Sequence, residues 1–172
     1  MVTIKQLIVG FLSAIGIGIL ALFIATGWYI VDETDQAALI TFGKVEETIA
    51  EPGLKFKMPW PIQRVEILSR TTNNLRVGFE DRNGELNYTD EAKMITGDEN
   101  IVLADLIVQW RITDPEEYLF NADNPEQILF NAASASLRGV IGSSRIDAIL
   151  TDERPEIEAK VRENLLSYME TY

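Results

Sequence analysis

Cysteine and histidine are both absent from this 172-residue chain. Without cysteine there is no disulfide framework, no thiolate nucleophile and no sulfur ligand for a metal. Without histidine there is no imidazole to orient a hydrolase triad or shuttle a proton near neutral pH. Chemistry is left to carboxylates, hydroxyls, Lys and Arg, and this points to a chain that is not an enzyme. Positive charge is also scarce: 15 Lys and Arg stand against 27 Asp and Glu, a net charge of −12. A phosphate backbone would be repelled, so nucleic acid is not an expected partner.

What is present first is a long apolar run. Leu7 to Val31 is free of charge, and a helix of that length would span ~37 Å at about 1.5 Å per residue, more than the roughly 30 Å hydrocarbon core of a bilayer. The run predicts a transmembrane helix over 7–31, after a short cytoplasmic N-terminus at 1–6, with Trp28 and Tyr29 in the distal aromatic belt. Lys5 precedes it, whereas Asp32, Glu33 and Asp35 follow; the positive-inside tendency then exports the remainder. A cleaved signal peptide is the rival, but its apolar region would run only about 7 to 15 residues. Small-residue pairs such as Ala14/Gly18 and Ala21/Ala25 permit close helix contact, yet they are also ordinary membrane-helix composition.

Beyond Val31 the pattern is that of an α+β protein with an antiparallel-rich sheet and packed helices. Gln36–Phe42, Gly43-Lys44 and Val45–Ile49 read as a hairpin, and Glu51-Pro52-Gly53 as a second turn. Leu54-Lys55-Phe56-Lys57 alternates apolar with basic, as an edge strand with one wet face would. Met58-Pro59-Trp60-Pro61 then forbids a central strand, and Ile62–Leu68 resumes extension. Glu80–Asp90 is a polar stretch whose Asn83-Gly84 signals an exposed turn. Its Asn87-Tyr88-Thr89 triplet matches a glycosylation sequon that carries no weight without a secretory context. In Ile101–Ile112, Val102, Ala104, Leu106, Val108, Trp110 and Ile112 share one face, with Asp105, Gln109 and Arg111 on the other, and this strand should be the spine of the sheet.

Asp114-Pro115-Glu116 and Asn124-Pro125-Glu126 then open two helices with a cap and a proline in the first turn. In the second, about Pro125 to Gly142, Ala132, Ala133, Ala135, Ser136 and Gly139 offer a small-residue surface to a sheet. Thr151 or Asp152 opens a last helix whose apolar stripe is Ile157, Val161, Leu165, Tyr168 and Tyr172. The helix stops at Tyr172 without a cap, as in a chain cut short. Two parts are expected, a membrane-proximal β-rich part at 32–95 and an α/β part at 96–172. Charge is uneven: residues 32–78 hold seven acids and six bases, and 79–172 hold twenty acids and eight bases. A nearly neutral proximal part can rest on a membrane, with Lys55, Lys57 and Trp60 at its surface; burial of Trp60 in a core is the other reading.

Phe42-Gly43-Lys44, Glu51-Pro52-Gly53-Leu54, Pro59-Trp60-Pro61, Thr96-Gly97-Asp98-Glu99-Asn100, Gln109-Trp110-Arg111 and Leu137-Arg138-Gly139-Val140-Ile141-Gly142, after a single anchor, resemble in order and spacing the SPFH (band 7) superfamily of stomatins, prohibitins and flotillins, most closely its bacterial HflK family. The resemblance covers nearly the whole chain. It implies a bacterial inner-membrane protein with an extracytoplasmic, periplasmic domain, which pairs with an HflC-like SPFH subunit in a hetero-oligomer. It also implies a ring that encloses an FtsH-type AAA protease and regulates it without making or breaking bonds. A long coiled coil and a sheet strand after Tyr172 belong to that family and are missing here. A stomatin-like organiser of membrane microdomains or channels is the alternative, and a Ser/Lys hydrolase the rival from another class.

No cofactor and no metal site is expected. Thr96–Asn100 reads either as an oxygen cation site or as the turn into the spine strand. Ser143-Ser144-Arg145 offers hydroxyls for nucleophilic attack or for capping, with no lysine within ten residues to act as a base. Arg138 and Arg145 are candidates for subunit contacts, against the bland reading of weak surface ion pairs.

Overall fold

The computed structural model describes residues 4–82, 85–150 and 154–170, with side-chain surroundings for all of these except residues 4–9, 19, 20, 22, 24 and 81–86. The Asn83-Gly84 turn, the Thr151/Asp152 helix opening and Tyr172 lie outside the described residues. The chain divides into two compact units, Met1–Thr71 with Ile112–Glu116, and Thr72–Arg111 with Glu117–Tyr172. This differs from a division after residue 95, because residues 73–77 pair with the spine strand.

The first unit begins with helix α1 (Ile4–Thr26) and continues through strands β1 (Trp28–Val31), β2 (Asp35–Thr41), β3 (Lys44–Ile49), β4 (Gly53–Phe56) and β5 (Gln63–Ser69). The apolar run thus does not stay helical to Val31. Gly27 donates its N–H to the Phe23 carbonyl at 2.8 Å and accepts from the Lys57 N–H at 2.9 Å. A Cβ at Gly27 would stand 2.4 Å from the Phe23 oxygen, so only glycine fits where the helix turns into strand. Trp28-Tyr29-Ile30-Val31 then has the aromatic and β-branched composition of a strand. It pairs antiparallel with β4, Trp28 opposite Phe56 and Ile30 opposite Leu54. Among the residues whose side chains are described, no helix is long and apolar enough to cross a membrane; the anchor reading of α1 rests on its sequence and returns below as a proposal.

Strands β3, β2 and β5 form an antiparallel sheet in that order. Central β2 is buried from Gln36 to Ile40, and its Ala37, Ala38, Leu39 and Ile40 make the core with Val31 and Val45. The β2–β3 hairpin forms as expected, but its two-residue tip is Phe42-Gly43 rather than Gly43-Lys44, with positive φ at Phe42 (48°) and Gly43 (88°), the handedness that matches strand twist. The turn at Gly53 does not give a second hairpin, because β4 leaves β3 and joins β1 instead.

The second unit combines three two-stranded antiparallel ribbons with helices. Its strands are β6 (Asn73–Val77), β7 (Phe79–Arg82), β8 (Glu85–Tyr88), β9 (Lys93–Ile95), β10 (Ile101–Leu103) and β11 (Leu106–Trp110). The spine is interrupted at Ala104-Asp105 but keeps its alternation; β10 pairs with β9 and β11 with β6. Helices α2 (Pro115–Phe120), α3 (Pro125–Ser143), α4 (Ile146–Leu150) and α5 (Arg154–Met169) follow. Asp114 Oδ1 accepts from the Glu116 N–H at 2.8 Å, and Asn124 Oδ1 from the Gln127 N–H at 3.2 Å, the two caps expected. Met94, Leu137, Val140, Ile141, Ile157 and Val161 form the core, with Val102, Ala104 and Leu106 packed against it. Of the small residues of α3, Ala133 and Ser136 are buried whereas Ala135 and Gly139 face solvent; the helix meets the strands on a narrower stripe than its composition suggests.

Candidate functional site

Strand alternation builds the most unusual surface of the first unit. In the β1–β4 ribbon, directly opposed residues share a face, so Trp28, Ile30, Leu54 and Phe56 lie together. All four are more than half exposed, Phe56 at 78%. The opposite face carries Val31, which is buried, with Tyr29 and Lys55, which are half-buried. The expectation for Leu54–Lys57 is therefore inverted: this strand turns its apolar side chains out and its lysines toward the protein. Continuing from β4, Met58 and Trp60 are exposed as well, Trp60 at 72%, which rules out a core role for that ring.

The Trp60 loop is tied down. Met58 donates its N–H to Gln63 Oε1 at 2.7 Å, Ile62 donates to the Pro59 carbonyl at 3.1 Å, and Gln63 Nε2 reaches Thr41 Oγ1 at 3.1 Å. Phe42, 82% exposed at its hairpin tip, donates its N–H to Ile62 at 3.3 Å. Two aromatic side chains are thus held by main-chain and glutamine contacts while their rings stay in solvent. Large exposed apolar patches mark interaction surfaces.

Of the membrane-facing candidates Trp28, Tyr29, Lys55, Lys57 and Trp60, Trp28 lies on this ribbon face and Trp60 is exposed on the loop that follows β4. Tyr29 and Lys55 turn to the other face of the ribbon. Lys55 Nζ pairs with Glu51 Oε2 at 2.9 Å, and this hydrogen bond raises the lysine pKa and lowers the glutamate's. The Tyr29 hydroxyl is buried without a hydrogen-bond partner; burial chiefly, then Glu47, pushes its pKa up, against Lys55. Lys57 is half-buried. Ile30, Leu54, Phe56, Met58 and Phe42 were not singled out in the sequence, although the period-two alternation of 28–31 and 54–57 carries the signal.

In the second unit the Thr96–Asn100 segment is a closed turn. Thr96 Oγ1 donates to Asp98 Oδ1 at 2.6 Å, Asn100 donates its N–H to Thr96 Oγ1 at 3.1 Å, and Asp98 Oδ1 accepts the Ile146 N–H at 3.1 Å. Gly97 donates to the Ser144 carbonyl at 2.8 Å. These polar groups are spent on holding the α3–α4 junction, as the turn reading requires. Ser143 and Ser144 donate their hydroxyls to main-chain carbonyls, Ser143 to Gly139 and Val140 at 3.0 Å and Ser144 to Val140 at 2.7 Å, which is capping. Arg138 is exposed on α3. Arg145, equally exposed, lies 4.0 Å from Asp147 Oδ2, an ion pair of little worth.

Comparison with known proteins agrees with this architecture. The SPFH domain / Band 7 family matches residues 29–172. The chain is 32% identical over 154 residues to the Modulator of FtsH protease HflK of Escherichia coli (strain K12), covering 90% of this chain and 33% of that protein. It is 29% identical over 165 residues to Protein HflK of Vibrio cholerae, covering 93% and 38%, and 25% identical over 158 residues to Protein HflK of Borreliella burgdorferi, covering 90% and 50%. The chain therefore spans about a third to a half of the length of these curated relatives.

Proposed function

This chain belongs to the SPFH domain / Band 7 family, and from that premise we propose that it is a membrane-anchored, non-enzymatic scaffold subunit that regulates an FtsH-type AAA protease. One relative is named a modulator of FtsH protease, which supports the protease as the regulated partner. In this reading α1 is the anchor. Its 23 residues reach ~34 Å as a helix, and the chain is a bacterial inner-membrane protein with its N-terminus cytoplasmic and everything after α1 extracytoplasmic. An HflC-like SPFH subunit completes a hetero-oligomer, in which Arg138 and Arg145 contribute subunit contacts.

The observation that carries the reading is the apolar ribbon face of Trp28, Ile30, Leu54 and Phe56, which starts two residues after α1 ends and is followed in sequence by the exposed Met58 and Trp60. A face so close to the end of an anchor lies at the bilayer interface, where Trp and Phe rings are favoured. Lys57 beside it can keep its ammonium among headgroups.

The functional test is extraction of the full-length gene product from its native membranes in mild detergent, with sizing and mass spectrometry of what stays bound. Co-elution in a megadalton particle with a second SPFH subunit and an AAA protease is expected; a channel partner in place of the protease would replace this reading by the stomatin-like one. For the surface, variants retaining Trp60 as the sole tryptophan are reconstituted into vesicles containing brominated lipid. Strong quenching of Trp60 is expected, and emission unchanged from the unbrominated control would remove that ring from the interface.

A further inference from the structure

The tip of the β2–β3 hairpin is built against backbone preference. Phe42 holds φ at +48°, a left-handed conformation that a bulky side chain enters only at a cost and that Asn, Asp or Gly would take more easily in such a two-residue turn. The ring gains no burial within this chain, for Phe42 is 82% exposed. A strained aromatic left in solvent points to an apolar environment outside the chain that offsets the strain.

The tip is also fixed to its surroundings. Gln63 joins two segments with one side chain: its Oε1 accepts the Met58 N–H at 2.7 Å, while its Nε2 donates to Thr41 Oγ1 at 3.1 Å and to Glu46 Oε2 at 3.4 Å. Thr41 closes the set by donating its hydroxyl to Glu46 Oε2 at 2.5 Å. The start of the Trp60 loop is fixed in turn to the end of α1, because Lys57 donates its N–H to the carbonyl of Gly27, the residue that follows the helix. Three hydrogen bonds and one glutamine side chain thus lead from the end of α1 to the residue before Phe42. That path is short, and it keeps the hairpin tip near the helix end.

We propose that Phe42 is a second point of entry into the bilayer, a finger that Gln63 holds beside the Trp60 loop. This rests on the reading of α1 as an anchor and deepens it by naming the hairpin tip and the residue that positions it. The occupant is lipid because the hydrogen-bonded path to the tip starts at the end of the anchor, where the bilayer interface favours aromatic rings. Lys44, exposed next to the tip, can keep its ammonium among headgroups while the ring is buried.

The test uses the full chain reconstituted in vesicles of brominated lipid, with Phe42→Trp introduced and Trp28, Trp60 and Trp110 each replaced by Phe. A ring seated about 5–10 Å into the headgroup and acyl boundary is within reach of the bromines, and this tryptophan should lose most of its emission relative to unbrominated vesicles. Gln63→Glu in the same background keeps an acceptor for the Met58 N–H, but its carboxylate cannot donate to Thr41 and stands beside Glu46. Quenching at position 42 should then fall severalfold, whereas the same substitution in the chain whose sole tryptophan is Trp60 should leave quenching there unchanged. Because the parent chain has no cysteine, Phe42→Cys carrying an environment-sensitive dye repeats the measurement with all three tryptophans in place, and a blue shift on reconstitution is expected. No quenching and no shift at position 42, with Trp60 quenched, would overturn the proposal and leave the membrane reading standing. No quenching at either position would remove both. Quenching at position 42 that Gln63→Glu leaves unchanged would overturn the role given to Gln63.

Discussion

Protonating Asp98 takes an acceptor away from two donors at once, the Thr96 hydroxyl and the Ile146 N–H. The Thr96 hydrogen bond is the leading cause that lowers the Asp98 pKa, helped by Ile146 and Asn100. A carboxyl held below its unfolded value contributes stability that is fully present above the ordinary aspartate range and lost as pH falls through the lowered folded value. Thermal melts between neutral and strongly acidic pH should therefore show a steeper fall for the parent chain than for Asp98→Asn; parallel curves would mean the turn gains nothing from ionised Asp98. Gly78 is a second point of strain-free necessity, with φ +91° and a would-be Cβ 2.7 Å from the Ala104 oxygen. We expect Gly78→Ala to cost roughly 1–3 kcal/mol in urea unfolding. The turn at 96–100 was legible from its Gly, Asp and Asn, but its role as a clamp was not. Its partner Ile146 lies 48 residues on, and no local pattern reports a contact at that distance.

Among the elements, those with strong period were legible and those fixed by pairing were not. Ile101–Ile112 alternates along its whole length, and its inward set, Val102 to Ile112, is the one the sequence gives by period two. Helix α3 announces itself with Asn124-Pro125, and replacing the cap with Asn124→Ala should destabilise the chain by about 1 kcal/mol, measurable as a lower urea midpoint with an unchanged slope. Deeper in the same helix Ile141 is 2% exposed, and Ile141→Ala should cost roughly 2–5 kcal/mol. By contrast, the run from Leu7 to Val31 carries no charge to mark where α1 yields to β1; the mark is Gly27 and its close approach to Lys57. Nor could local sequence show that 53–56 joins 28–31 rather than 44–49. A strand with apolar residues on one side and lysines on the other is ambiguous about which side is wet, and here the apolar side is the outward one.

At the scale of the whole molecule, the proposed anchor and the acidic body would pull assembly in opposite directions. A net charge of −12 makes copies repel, with a range set by a Debye length of about 8 Å at physiological ionic strength and about 30 Å at 10 mM. Confinement to a bilayer raises the effective concentration of one copy around another and can turn a weak contact into a populated one. Assembly as proposed therefore depends on confinement outweighing repulsion. Cross-linking of the full chain should then be extensive in vesicles at physiological salt, weaker in the same vesicles at 10 mM where repulsion reaches across the gap, and slight in detergent micelles at the same bulk concentration. Equal yields in micelles and vesicles would show that the surfaces alone suffice and that the membrane contributes only location. A yield that rises as salt is lowered from about 0.15 M to about 10 mM would show that local attraction between oppositely charged groups of neighbouring copies outweighs the repulsion of the whole. The two outcomes separate the part of assembly that belongs to a contact surface from the part that belongs to the charge and tether of the entire chain.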